Sequence, residues 1–160
     1  MGVAPRSPAI QVVCVGRLRP PHDQAGEEYE QRVARLVGFR VDEIAAEPLQ
    51  RGDLVARARE ADRIRSAVVR GAWTVGLSPD GREPSSSDAF AQWVERRLAS
   101  GRPVAFLIGG ASGLDVDLLG TCDETMALGR LTMPHQLARV VLIEQLYRAL
   151  SLLQGHPYPH

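Results

Sequence analysis

Apolar and polar positions along this chain follow two periods in turn, and each change of period marks an element. Ala9 to Gly16 (AIQVVCVG) is a short β-rich apolar run closed by glycine, the pattern of a buried strand. Arg17 to Gln24 is polar and broken by Pro20-Pro21. From Ala25 to Leu36, Tyr29, Val33 and Leu36 recur at three- and four-residue steps among charges, which predicts an amphipathic helix. Phe39 to Ile44 alternates as a second strand would, and Asp53 to Val69 reads as a helix whose charged face is solvated and laced by opposite-charge pairs. Ala72 to Leu77 predicts a third strand, followed by a turn at Ser78 to Gly81. Ser85 to Asp88 offers caps for a helix running to about Leu98, and Val104 to Ile108 (VAFLI) is apolar enough to be buried on both faces. This order of strand, helix, strand, helix, strand, helix, strand specifies an α/β fold with a mostly parallel sheet flanked by helices.

Composition narrows the class. The 160 residues suit one domain, residues 1–160, with a single core, and no repeat or linker divides them. With 44% hydrophobic and 24% charged residues the chain falls among soluble globular proteins, and no run approaches the roughly 18 apolar residues of a membrane span. The start MGVAPRSPAI lacks the apolar core of a secretory signal, so a cytoplasmic location is expected. Cys14 and Cys122 lie far apart without neighbouring ligands, which points to buried thiols and no metal site. All nineteen cations are arginine, since lysine is absent, and they balance nineteen acids. Zero net charge argues against avid nonspecific binding to long nucleic acid, yet it permits a specific RNA site lined by arginines.

Two loops can carry chemistry. Gly109-Gly110-Ala111-Ser112-Gly113-Leu114 follows the most apolar strand, at the end of a parallel strand where open α/β sheets place their ligands. It matches neither a dinucleotide fingerprint nor a nucleoside-triphosphate loop. Met126 to Pro134 is a small, apolar loop entering a helix, with Pro134 suited to the first turn. From Gln136 to Leu153 the apolar positions cover more than a narrow stripe, so this helix should touch the sheet and a second surface such as another subunit. Arg139 and Arg148 either pair with acids such as Glu144 or face a polar ligand. His135 reads as a structural residue at the helix start, and His156, Tyr158 and His160 lie in a short tail with Pro157 and Pro159.

Three segments together resemble one family. They are VGRLRPP at Val15 to Pro21, FLIGGASGL at Phe106 to Leu114, and LTMPHQLARVVLIEQLYRA at Leu131 to Ala149 followed by GHPY at Gly155 to Tyr158. The chain resembles, over nearly its whole length, the SPOUT-class methyltransferases that methylate N3 of a pseudouridine in 23S ribosomal RNA, the ribosomal RNA large subunit methyltransferase H family. The resemblance implies a homodimer with a C-terminal deep trefoil knot that holds S-adenosyl-L-methionine. Carried over by position, the cofactor contacts are Leu77, Gly109, Leu128, Gly129, Arg130, Leu131, Thr132 and Met133. The catalytic candidates are Tyr158 and His160 nearest the acceptor, with Arg139 and Arg148 orienting the RNA or its base.

The chain departs from the family pattern at two places. The family continues its PY with His and a cation, where this chain has Pro159 and His160, and it commonly has Asp where this chain has Ser78. Both departures bear on the acceptor and leave the cofactor residues unchanged. Two further readings therefore stand beside 23S rRNA methylation: a SPOUT paralogue methylating a small heteroaromatic compound or nucleoside, and a noncatalytic knotted RNA-binding module.

Overall fold

A computed structural model describes residues 7–158. Five strands, β1 (Ile10–Val15), β2 (Phe39–Ile44), β3 (Trp73–Arg82), β4 (Val104–Ile108) and β5 (Glu124–Met126), form one sheet in the order β2-β1-β4-β3-β5. Every pairing is parallel. The two runs most apolar in sequence, β1 and β4, become adjacent central strands in which every residue is buried. Such strands need a cover on both faces, and the helices supply it.

Side-chain alternation divides the core into two layers. Ile10, Val12 and Cys14 of β1, with Val104, Phe106 and Ile108 of β4, face α1 (His22–Leu36), α3 (Ser87–Ala99) and α5 (His135–Leu153). Val13, Val15, Ala105 and Leu107 face α2 (Asp53–Ala67) and the short α4 (Val116–Thr121). One polar side chain is fully buried on this second face: Gln11 donates to Asp42 at 2.6 Å and to the Ala67 carbonyl at 2.8 Å, and accepts from the Val69 amide at 3.0 Å. Satisfied on both ends, it ties the end of α2 to the β1–β2 edge.

Three features differ from the sequence expectation. The first helix begins at His22, three residues before Ala25. The Ser78–Gly81 segment lies within β3 instead of ending it: Leu77 and Arg82 both pair with Met126, and the residues between them are looped out of register. A Cβ on Gly81 would come within 2.6 Å of the Met126 backbone, so glycine allows the loop to press against β5. Finally, α4 and β5 are too short for periodicity to reveal, and Met126 ends a strand instead of opening a loop. A local signal does exist for α4, where Asp115 accepts from the Leu118 amide at 3.0 Å. No described helix is long and apolar enough to cross a membrane.

Candidate active site

Parallel pairing brings the carboxyl ends of β3, β4 and β5 to one edge of the sheet, and the loops leaving them enclose a cleft of about 630 Å³. One wall is the glycine loop after β4. A Cβ on Gly109 would sit 2.6 Å from both the Gly113 carbonyl oxygen and the Leu114 nitrogen, so the loop folds back on itself only because the side chain is absent. The Gly113 amide closes the turn on the Gly110 carbonyl at 3.0 Å, and Gly113 takes a φ of +80°. Ser112 then donates to Asp53 at 3.1 Å, fastening the loop to the first turn of α2.

The opposite wall is the segment from Leu128 to Met133, between β5 and α5. Among the described residues, none of its backbone N–H groups donates to another protein group. Leu77, Leu128, Leu131 and Met133 make this side of the cleft apolar, and no arginine or carboxylate lines any wall. The arrangement suits a flat, largely apolar ligand whose ring edge takes hydrogen bonds from loop amides. With no cation in the walls, it is ill suited to a phosphate chain.

Seven of the eight residues expected to hold the cofactor line this cleft: Leu77, Gly109, Leu128, Gly129, Leu131, Thr132 and Met133. Arg130 belongs to the same segment, but its side chain is largely exposed and lies 3.5 Å from Glu83. Two neighbours of the site carry no overt functional signal in the sequence pattern. His135 lines the cleft at the start of α5, and burial pushes its imidazole below the usual histidine range while the Glu60 carboxylate opposes that shift. Glu60 is 5% exposed and lies behind the glycine loop, where a Cβ on Gly110 would meet its Oε2 at 3.2 Å. The signal for Glu60 was its helical spacing from Asp53, masked in the sequence by the many surface charges of α2.

The catalytic candidates fall elsewhere. Arg139 is 6% exposed and is gripped by two acids, Glu30 at 2.7 and 3.0 Å and Glu43 at 2.7 Å. Its guanidinium therefore joins α5 to α1 and β2, inside the molecule. Farther along α5, Glu144 accepts from Arg148 at 2.7 Å and from the Tyr158 hydroxyl at 2.9 Å. The Tyr158 ring meets Tyr147 edge-on at 5.1 Å, and the Arg148 guanidinium lies 4.4 Å from its centre. Burial pushes the Tyr158 phenol upward, with Tyr29 and Glu144 acting in the same direction, so in this packing it is a protonated donor. None of Glu144, Arg148 and Tyr158 lines the cleft: at 1.5 Å per residue, Glu144 stands about 9 Å and Arg148 about 15 Å along α5 from Ala138 in the cleft wall. His160 lies outside the described residues. No group of three or more His, Cys, Asp or Glu that could hold a metal ion occurs among the described residues.

Known proteins share this architecture. A family model described as a predicted SPOUT methyltransferase matches residues 9–160. The chain is 43% identical over 156 residues to a ribosomal RNA large subunit methyltransferase H of Sorangium cellulosum, covering 94% of this chain and 99% of that one. It is 41% identical over 150 residues to a protein of the same name from Anaeromyxobacter sp., covering 93% and 97%. Among solved structures, a probable methyltransferase from Bordetella pertussis superposes with a TM-score of 0.56 at 14% identity, covering 89% of this chain and 94% of that one. The parallel sheet, the cleft at its carboxyl edge and similarity along nearly the whole sequence place this chain in the SPOUT methyltransferase family, among the relatives of ribosomal RNA large subunit methyltransferase H.

Proposed function

We propose that this protein transfers a methyl group from S-adenosyl-L-methionine to N3 of a pseudouridine in 23S ribosomal RNA. The observation that carries the reading is the apolar cleft beside Leu128–Met133, whose free amides match the hydrogen-bonding edge of an adenine. The bound cofactor supplies a methyl group on a sulfonium, a leaving group that needs neither metal nor phosphate contact. Leu77, Leu131 and Met133 cover the ring, and the glycine loop lets backbone approach the rest of the ligand.

Methylation at N3 requires alignment of the acceptor and loss of its proton. In our reading the protein works as a homodimer, and the Tyr158–Glu144–Arg148 cluster of one chain faces the cleft of the other. That none of these three side chains lines the cleft of its own chain supports this arrangement, as do the exposed Leu137, Leu152 and Leu153 on the same helix. Arg148 and Tyr158 would then orient the base, with His160 following on the tail, while Arg139 holds α5 in place from inside. Arg130, beside the cleft mouth, would add a backbone amide to the cofactor and leave its side chain with Glu83. The same reading takes the chain as one cytoplasmic SPOUT domain whose C-terminal segments form the trefoil knot.

The test is methyl transfer from labelled S-adenosyl-L-methionine to assembled ribosomes, free 23S RNA, and small heteroaromatic acceptors including nucleosides. Label at N3 of a 23S pseudouridine supports the proposal. Label confined to a small acceptor would replace it with the paralogue reading. Failure to bind the cofactor at micromolar concentration in calorimetry would replace it with a noncatalytic RNA-binding module.

A further inference from the structure

Beside the apolar cleft lies a rim of opposite character, built from the loop between β1 and α1 and the first turns of α2. Gly16, at the exit of β1, opens toward the cleft, where a Cβ would stand 3.8 Å from the His135 Nε2. The loop is pinned to the start of α5 by the Arg19 amide, which donates to Gln136 at 2.8 Å. On α2, Asp53, Arg57 and Glu60 stand at positions i, i+4 and i+7, so they share the face turned to the glycine loop. Asp53 already accepts from Ser112 at the end of that loop, and Glu60 accepts from the Glu47 amide at 3.0 Å.

The cations here are in a different state from the acids. Arg17 and Arg19 are exposed and Arg57 is half-buried. Among the described residues, none of the three guanidiniums makes a hydrogen bond or an ion pair. Of the nearby carboxylates, Glu47 takes Arg59 at 3.1 Å and Arg63 at 2.6 Å, whereas Asp23, Asp53 and Glu60 accept from an amide or a hydroxyl. Although the whole chain is neutral, this rim offers three guanidiniums without an ion-pair partner, two of them exposed on the β1–α1 loop while the Glu60 carboxylate is buried behind the glycine loop. That is the footprint of a polyanion, and the guanidinium fork matches phosphate oxygens.

We infer that the acceptor RNA strand crosses this rim, its phosphates held by Arg17, Arg19 and Arg57, so that the reacting base enters the cleft beside His135. The inference rests on the proposed methylation of RNA and assigns that reaction a substrate path. It also divides the work within the molecule: an apolar side without cations for the cofactor, and a cationic side for the nucleic acid.

The experiment compares the full-length protein with Arg17→Ala, Arg19→Ala and Arg57→Ala, and with Arg70→Ala at the far end of the sheet as control. Steady-state methyl transfer to ribosomes is followed across a salt series, and cofactor affinity is measured by calorimetry. Each rim variant should raise KM for the ribosome several-fold and lower the salt slope by about one per lost phosphate contact. Its kcat, cofactor affinity and melting temperature should match wild type, and Arg17→Lys should restore the slope. If wild type methylates 23S RNA while all three variants keep its KM and slope, the path is overturned and the proposed function survives. A loss of cofactor affinity in the variants would also overturn it, by assigning the rim to the cofactor. If wild type methylates no RNA, the proposed function fails and the path fails with it.

Discussion

Removing the Arg139 charge should damage the fold before it affects the chemistry. In Arg139→Met the stem still packs, but Glu30 and Glu43 lose three charge-assisted hydrogen bonds of 2.7, 2.7 and 3.0 Å. Breaking a buried ion pair by deleting one partner costs about 3–5 kcal/mol, chiefly because the remaining charge stays desolvated. The Glu30 and Glu43 side chains are 20% and 35% exposed, so water relieves part of that penalty and the lower end, about 3 kcal/mol, is expected. For a chain of this size that corresponds to a fall in Tm of about 6–12 °C. Urea unfolding followed through Trp73 and Trp93, which hydrogen-bond Glu124 where β3, β5 and α3 meet, measures it at fixed protein concentration. Adding Glu30→Gln and Glu43→Gln to the same chain should recover most of the loss, because no charge is then stranded. A variant with unchanged unfolding midpoint and a large drop in kcat/KM would refute the reasoning and return Arg139 to the substrate.

Three further outcomes follow from the same geometry. Gly109→Ala forces a Cβ to within 2.6 Å of the Gly113 oxygen and the Leu114 nitrogen, so the loop must open; calorimetry should show at least a tenfold loss of cofactor affinity, about 1.4 kcal/mol, in a chain that still folds by circular dichroism. His135 holds its proton less tightly in the folded state than in the unfolded one, so folding stability should fall as pH drops below the ordinary histidine value of 6.5. The decline between pH 7.5 and 5.5, read from urea midpoints, should be smaller in His135→Gln. Burial pushes the Cys14 thiol up to about 12, so in native protein at pH 8 it should resist alkylation that proceeds after unfolding, as mass spectrometry of the labelled peptides would reveal.

Strand and helix identities were largely legible in the sequence because each rests on a local period. The apolar runs of β1 and β4 required burial on both faces, and the glycines after β4 could only serve a tight loop at a strand end. Seven of the residues that the family resemblance assigns to a cofactor line one cleft, because they sit in short segments at or following the carboxyl ends of neighbouring parallel strands. The Gln136–Leu153 pattern predicted its helix from its local period, and the Ser86 side chain caps α3 through the Ala89 amide at 3.0 Å.

What required tertiary structure was every pairing between distant segments. No period reveals that Arg139 meets Glu30 and Glu43, 109 and 96 residues away, and this sends the side chain inward. The surface charges of α2 hid Glu60, which becomes buried between the Glu47 amide and the Gly110 turn that follows β4. His135 looked like a helix start and is one, yet the parallel sheet also brings it to the cleft. Tyr158, expected near the acceptor, instead donates to Glu144 on its own α5, about 9 Å along that helix from Ala138 in the cleft wall. The division has one physical cause: periodicity and turn chemistry act over a few residues and can be read along the chain, whereas charge partners and clefts depend on contacts that exist only after the sheet has assembled.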